Sequence, residues 1–122
     1  CMFEIGACLH FDAAHFLRDY PGKCEHLHGH RFQVEAVVAA ETLDNTGIAF
    51  DFVILKRLLG AICEELDHTN LNDLPPFQKI NPSSEALARY IYQRLSPDLK
   101  EQVTLRSVTV WESPQCWARY TE

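Results

Sequence analysis

From residue 2 to residue 12 the chain alternates, with Phe3, Ile5, Ala7, Leu9 and Phe11 on one side of an extended segment and Glu4, Cys8, His10 and Asp12 on the other. A period of two predicts a half-buried strand. After a loop holding Asp19-Tyr20-Pro21-Gly22, the period returns between Gly29 and Glu41, where Phe32, Val34, Ala36 and Val38 alternate with Arg31, Gln33 and Glu35. The cluster Asp44-Asn45-Thr46-Gly47 marks a turn beyond it. The spacing then becomes helical: Asp51 caps a helix in which Leu55, Leu58, Leu59, Ile62 and Leu66 face inward, ending near Asp67-His68-Thr69-Asn70. An irregular connection from Asn72 to Pro82 contains three prolines, after which Ser83 or Ser84 opens a second helix with Leu87, Ile91 and Leu95 inward and Pro97 just past its end. Val103 to Glu112 and Cys116 to Thr121 read as two more strands joined by Ser113-Pro114-Gln115. The order β-β-α-α-β-β predicts an α+β fold, with two helices on one face of an antiparallel sheet.

At 122 residues this is one domain, residues 1–122, with room for a core but little for a deep private cleft. Assembly of several copies is the expected remedy, since both edges of a small antiparallel sheet invite pairing. Apolar residues make up 47% and no apolar run is long enough for a bilayer, so no membrane partner is expected. A net charge of −6 without a basic stripe argues against nucleic acid. Five cysteines at irregular spacing, without a signal-peptide pattern, lead to the expectation of a reducing, cytoplasmic setting. Cys1 precedes the only methionine, Met2, and carries no inference.

The chemistry concentrates in Cys24-Glu25-His26-Leu27-His28-Gly29-His30. Residues two apart on a strand project to one face, so His28 and His30 can grip one metal ion, and their parity is that of the apolar side. His15, ending the first strand, is the best third ligand. Three imidazoles would leave a zinc coordination position open, as catalytic zinc requires. A closed structural site with Cys24 as fourth ligand is the rival. Singly, His10 and His26 are ordinary histidines, Asp67 and His68 satisfy a helix end, Glu112 is a strand-end carboxylate, and Ser83 and Ser84 are helix caps.

Taken together, Phe11-x-Ala13-Ala14-His15, Cys24-x-x-x-His28-Gly29-His30, Leu66-Asp67-His68-x-x-Leu71-Asn72, Asn81-Pro82-Ser83-Ser84-Glu85 and Trp111-Glu112 resemble the 6-pyruvoyltetrahydropterin synthase family over nearly the whole chain. The Cys24 to His28 gap is similar to that of its bacterial 6-carboxytetrahydropterin synthase branch, which serves queuosine biosynthesis. The resemblance implies the tunnelling fold and a homo-oligomeric barrel, a hexamer built as a dimer of trimers or a tetramer, with active sites between subunits. It implies Zn2+ on His15, His28 and His30, and Cys24 as a base whose proton is relayed by Asp67 and His68. Glu112 becomes the anchor of the pterin ring, and Ser83 and Ser84 place hydroxyls against it.

The implied reaction converts 7,8-dihydroneopterin triphosphate to 6-carboxy-5,6,7,8-tetrahydropterin, releasing acetaldehyde and triphosphate. Simple triphosphate elimination by a 6-pyruvoyltetrahydropterin synthase is the alternative. Glu25, beside Cys24, matches a branch in which a glutamate replaces the cysteine and 6-hydroxymethyl-dihydropterin is released. Outside this class stands a non-catalytic zinc-stabilised interaction module. Adjacent helical residues diverge by about 100°, so Asp67 and His68 are not expected to form an orienting pair within one chain. Arg18, Lys23, Arg31 and Lys79 are the basic candidates for a triphosphate.

Overall fold

The computed structural model describes residues 2–20, 22, 25–99 and 103–122. Cys24, Lys23 and the loop proline Pro21 lie outside them. The first two strands, β1 (Phe3–His15) and β2 (His28–Ala40), form a long antiparallel pair in which Phe11 lies opposite Phe32 and His15 opposite His28. Helix α1 (Phe52–Leu66) begins where Asp51 accepts a hydrogen bond from the Val53 N–H at 2.8 Å, as the capping position predicts. The short strand β3 (Thr69–Asn70) and helix α2 (Ser84–Leu95) follow, then β4 (Thr104–Trp111) and β5 (Trp117–Tyr120). The sheet runs β3-β1-β2-β4-β5 and is antiparallel except for β3, which pairs parallel with Ala13 and Ala14 of β1.

Two-residue periodicity in β1 and β2 buries Phe11, Phe32, Val34, Ala36 and Val38 under the helices, α1 over β1 and α2 over β4 and β5. Leu55, Leu59, Ile62 and Leu66 from α1 and Leu87, Ile91 and Leu95 from α2 complete the core. The other face of β1 and β2 carries Glu4, Cys8, His10, Asp12 and Arg31 to solvent. Phe3, expected inward, is exposed at the first position of β1. The expected architecture holds, with β3 as the addition. Two residues are too few for a hydrophobic period to register, so the sequence offered no signal for it. Among the described residues β3 covers only the last part of one β1 edge, leaving the backbone from Phe3 to Asp12 without a strand on that side.

The end of α1 departs from expectation. Helical geometry stops at Leu66; Asp67 is extended, at φ −68° and ψ 137°, and His68 is left-handed, at φ 57°. That reversal folds the imidazole back on its neighbour, so His68 Nδ1 sits 2.8 Å from an Asp67 carboxylate oxygen. Asp67 and His68 therefore do form an orienting pair within one chain; the expected divergence of about 100° applied to a helix that has already ended. The other Asp67 oxygen accepts the Asp12 N–H at 2.8 Å, and the His68 N–H donates to the Asp12 carbonyl at 2.6 Å, fastening α1 to β1.

Leu59 is fully buried, so Leu59→Ala should lower unfolding stability by about 2–5 kcal/mol, whereas Val53→Ala, at a side chain 68% exposed on the same helix, should stay within about 0.5 kcal/mol; urea denaturation reads both. The Asp12 N–H, helped by His68, holds the Asp67 carboxyl below the ordinary carboxylate range. A depressed folded pKa contributes stability that is complete above the unfolded value and is lost as pH falls through the folded one. The urea midpoints of wild type and Asp67→Asn should thus differ at about pH 6, and the gap should close only as pH falls below the ordinary aspartate range, about 4; a constant gap would refute the charge contribution.

Candidate metal centre and active site

His15 and His28 face each other across the last rung of the β1/β2 pair, and His30 stands opposite Ala13 one step inward. All three leave their strands on the helix-covered face, so antiparallel register alone gathers them: ring centroids lie 4.7, 5.3 and 4.7 Å apart around the triangle. Their floor is Phe32, whose ring meets those of His15 and His30 edge to face. Glu112, the first residue past β4, brings a carboxylate to the same point, and the donor atoms of all four side chains lie within 4.8 Å of one another.

Hydrogen bonds fix which ring nitrogen is offered. His15 Nδ1 lies 2.7 Å from the Pro82 carbonyl and His28 Nδ1 2.7 Å from the His26 carbonyl. A carbonyl only accepts, so Nδ1 carries the proton and, in the neutral ring, Nε2 carries the lone pair. This is the outer-shell arrangement that orients metal-ligating histidines. Burial holds the His30 imidazole below its ordinary pKa and so favours its neutral form, against the opposing pull of the Glu112 carboxylate.

The residues fit a metal ion. Glu112 Oε1 is 3.2 Å from His15 Nε2 and 3.0 Å from His30 Nε2, yet neither nitrogen completes a directed hydrogen bond, and both are buried without a partner among the described residues. Buried polar atoms are rarely left so. Imidazole lone pairs converging on a carboxylate repel one another unless a cation lies between them. Ligands about 2.0–2.1 Å from a tetrahedral zinc stand roughly 3.3 Å apart along an edge, close to the separations seen.

Two asparagines that residue-by-residue reading passed over hold the chain leaving β1. Asn72 accepts the Phe16 N–H at 2.9 Å and donates to its carbonyl at 3.0 Å; Asn81 does the same for Arg18 at 2.7 and 3.0 Å. Each side-chain amide thus imitates a strand neighbour. Their only signal in the sequence was membership of the Leu71-Asn72 and Asn81-Pro82 motifs.

The remaining candidates separate. Ser83 caps α2, accepting the Ala86 N–H at 3.1 Å, while the Ser84 hydroxyl is buried and unpartnered, two residues beyond the carbonyl that holds His15. Asp67 and His68 lie against Asp12, whose side chain leaves β1 on the face opposite His15, and the His68 side chain is 79% exposed. Glu25 is exposed just ahead of His28. Of the basic residues, Arg18 donates to the Ile80 and Asn72 carbonyls, Arg31 projects to the face opposite His30, and Lys79 is exposed. An alanine methyl at Gly29 would meet the Ala13 carbonyl at an ordinary 3.8 Å, so packing within the chain does not demand glycine there.

The pattern of the family described as 6-pyruvoyl tetrahydropterin synthase matches residues 4–122. A 6-carboxy-5,6,7,8-tetrahydropterin synthase of Bacillus subtilis is 33% identical over 97% of this chain and 84% of its own length. A dihydroneopterin monophosphate aldolase of Pyrococcus furiosus is 37% identical over 84% of this chain and 82% of its own. Among solved structures, the 6-pyruvoyl tetrahydropterin synthase of Caenorhabditis elegans superposes with a TM-score of 0.90 at 24% identity, covering 100% of this chain and 96% of that one. The tunnelling-type subunit fold, the histidine triangle on its first two strands and the match across residues 4–122 agree, and the chain belongs to the 6-pyruvoyl tetrahydropterin synthase family.

Proposed function

We propose that this protein is a zinc-dependent lyase that converts 7,8-dihydroneopterin triphosphate and water to 6-carboxy-5,6,7,8-tetrahydropterin, acetaldehyde and triphosphate, as in queuosine biosynthesis. The observation that carries the reading is the convergence of the His15, His28 and His30 side chains with their outer ring nitrogens tied to backbone carbonyls where those bonds are made. Zinc bound there would supply Lewis acidity, making the hydroxyl and adjacent C–H groups of the substrate side chain easier to deprotonate. Relatives named for this reaction, such as that of Bacillus subtilis, support the choice of product.

The chain's own residues take the remaining tasks. Cys24, four residues before His28 in the sequence, is the base that removes the substrate proton. Glu112 orients the pterin by accepting its two adjacent N–H groups, the planar contact a carboxylate makes well. Ser84 offers the ring a hydroxyl that no other described residue engages, while Ser83 combines that role with capping. The Asp67–His68 pair relays the proton from Cys24, with Asp67 holding the ring by its Nδ1. Because the pair turns outward beside Asp12, it serves the metal site of a neighbouring subunit in a closed ring, and the open β1 edge from Phe3 to Phe11, ahead of the Asp12 backbone groups that Asp67 and His68 take up, is where that ring is joined.

A second activity has its own support. Glu25 is exposed beside Cys24, and a relative 37% identical is an aldolase acting on dihydroneopterin monophosphate. Glu25 as the base would release 6-hydroxymethyl-dihydropterin.

Mass spectrometry of products from zinc-loaded protein and 7,8-dihydroneopterin triphosphate decides between them. The 6-carboxy product should disappear in Cys24→Ala and persist in Glu25→Ala; a 6-hydroxymethyl product lost with Glu25 would establish the second activity, and no turnover by wild type would sink both. Site sharing predicts that His28→Ala and His68→Ala, each inactive alone, regain activity when dissociated and reassembled together. A mixture as inactive as its parts would place Asp67 and His68 with their own chain's metal.

A further inference from the structure

We infer that the open face of the sheet, behind the histidine triangle, carries a second binding site, a pocket for a flat heterocycle bearing a carboxylate. Strand register builds it. Gln33 stands between His10 of β1 and Trp111 of β4 on one rung, and Arg31 lies two residues away on β2, so all four side chains leave the sheet on the side away from the helices. With Ser113 and Pro114 from the turn after β4 they line a hollow of about 240 Å3. Arg31 sits between His30 and Phe32 in sequence and projects the other way, so the hollow and the metal site share a strand without sharing a face.

The lining suits one kind of guest. Trp111 and Pro114 give apolar walls against which a flat ring can lie. The indole is braced: Trp117 packs on it with ring centroids 5.9 Å apart and carries the Arg119 guanidinium at 4.7 Å from its own centroid, while Arg119 Nε donates to the Thr109 hydroxyl at 2.8 Å. Arg31 supplies the charge. Asp12 is directly opposite it on β1, yet among the described residues the two form no ion pair, and the Asp12 carboxylate sits instead with Asp67 and His68. A guanidinium without a counter-ion among the described residues is a fork that a carboxylate completes with two parallel hydrogen bonds. His10 and Gln33 beside it bring a ring nitrogen and an amide to the polar atoms of the heterocycle. Apolar walls with a few convergent polar groups are the usual make-up of a small-molecule site. The 6-carboxy product proposed above is a flat heterocycle with one carboxylate; naming it as the occupant rests on that reading, whereas the pocket and its ligand class do not.

The test uses pterin-6-carboxylate, the stable oxidised counterpart of that product, with zinc-loaded protein in which fluorotryptophan replaces tryptophan. Trp111 and Trp117 are the only tryptophans of the chain, so its fluorine NMR spectrum holds one signal from each, assigned with Trp117→Phe. The probe should shift the Trp111 signal saturably, and Arg31→Gln should weaken that binding about tenfold or more. Arg106→Gln, at an exposed arginine paired with Glu4, should match wild type. Unsubstituted pterin, with the ring but no carboxylate, and inorganic phosphate, with charge but no ring, should each act on the Trp111 signal about tenfold or more weakly than the probe. A Trp111 signal that the probe leaves unmoved in wild type, or equal affinity in Arg31→Gln, overturns the site; equal binding of either counter-probe overturns the ligand class. Because the readout is the indole and not turnover, failure here leaves the reaction standing, and failure of the reaction in the product analysis leaves the pocket standing.

Discussion

Everything at this site depends on the register of one antiparallel pair. With Phe11 opposite Phe32, His15 falls opposite His28 and His30 follows on the same face. A slip of one residue would send the β2 imidazoles to the opposite face while leaving His15 behind, because side chains alternate with a period of two. What prevents the slip is the core further along: Phe32, Val34, Ala36 and Val38 would have to exchange places with Arg31, Gln33, Glu35 and Val37. Hydrophobic burial in the middle of the strands thus sets the geometry of the histidine triangle at their end.

Loops then refine what the strands provide. The Pro82 carbonyl selects the His15 tautomer, Asn72 and Asn81 take up the backbone groups of Phe16 and Arg18, and all three residues lie between the helices. The irregular, proline-bearing connection therefore acts as the site's scaffold. Its 3-10 turns at Leu71–Asp73 and Pro75–Phe77 anchor it by burying Leu71 and Phe77 in the core.

How much could be read from the sequence followed the range of each interaction. Strand and helix periods gave the two helices, four of the five strands and the face on which His28 and His30 stand, because burial imposes those periods locally. The Asp51 cap and the Asp44 turn, where one carboxylate oxygen accepts the Thr46 and Ile48 N–H groups, were equally legible. Convergence of Glu112 on the histidines was not, since it joins residues more than eighty apart through the β2/β4 register. Nor was the fold-back of His68, which depends on a single dihedral. Family motifs supplied the importance of these positions without supplying their geometry.

That dihedral has a consequence for how the protein can change over time. A non-glycine residue at φ 57° costs about 1–3 kcal/mol, and glycine, the residue free of that cost, carries no imidazole. Drift at residue 68 therefore has a downhill direction in stability that discards the ring. Relaxing the backbone at residue 68 and keeping its ring are therefore opposed, and this chain carries the ring at a backbone cost that glycine would lift.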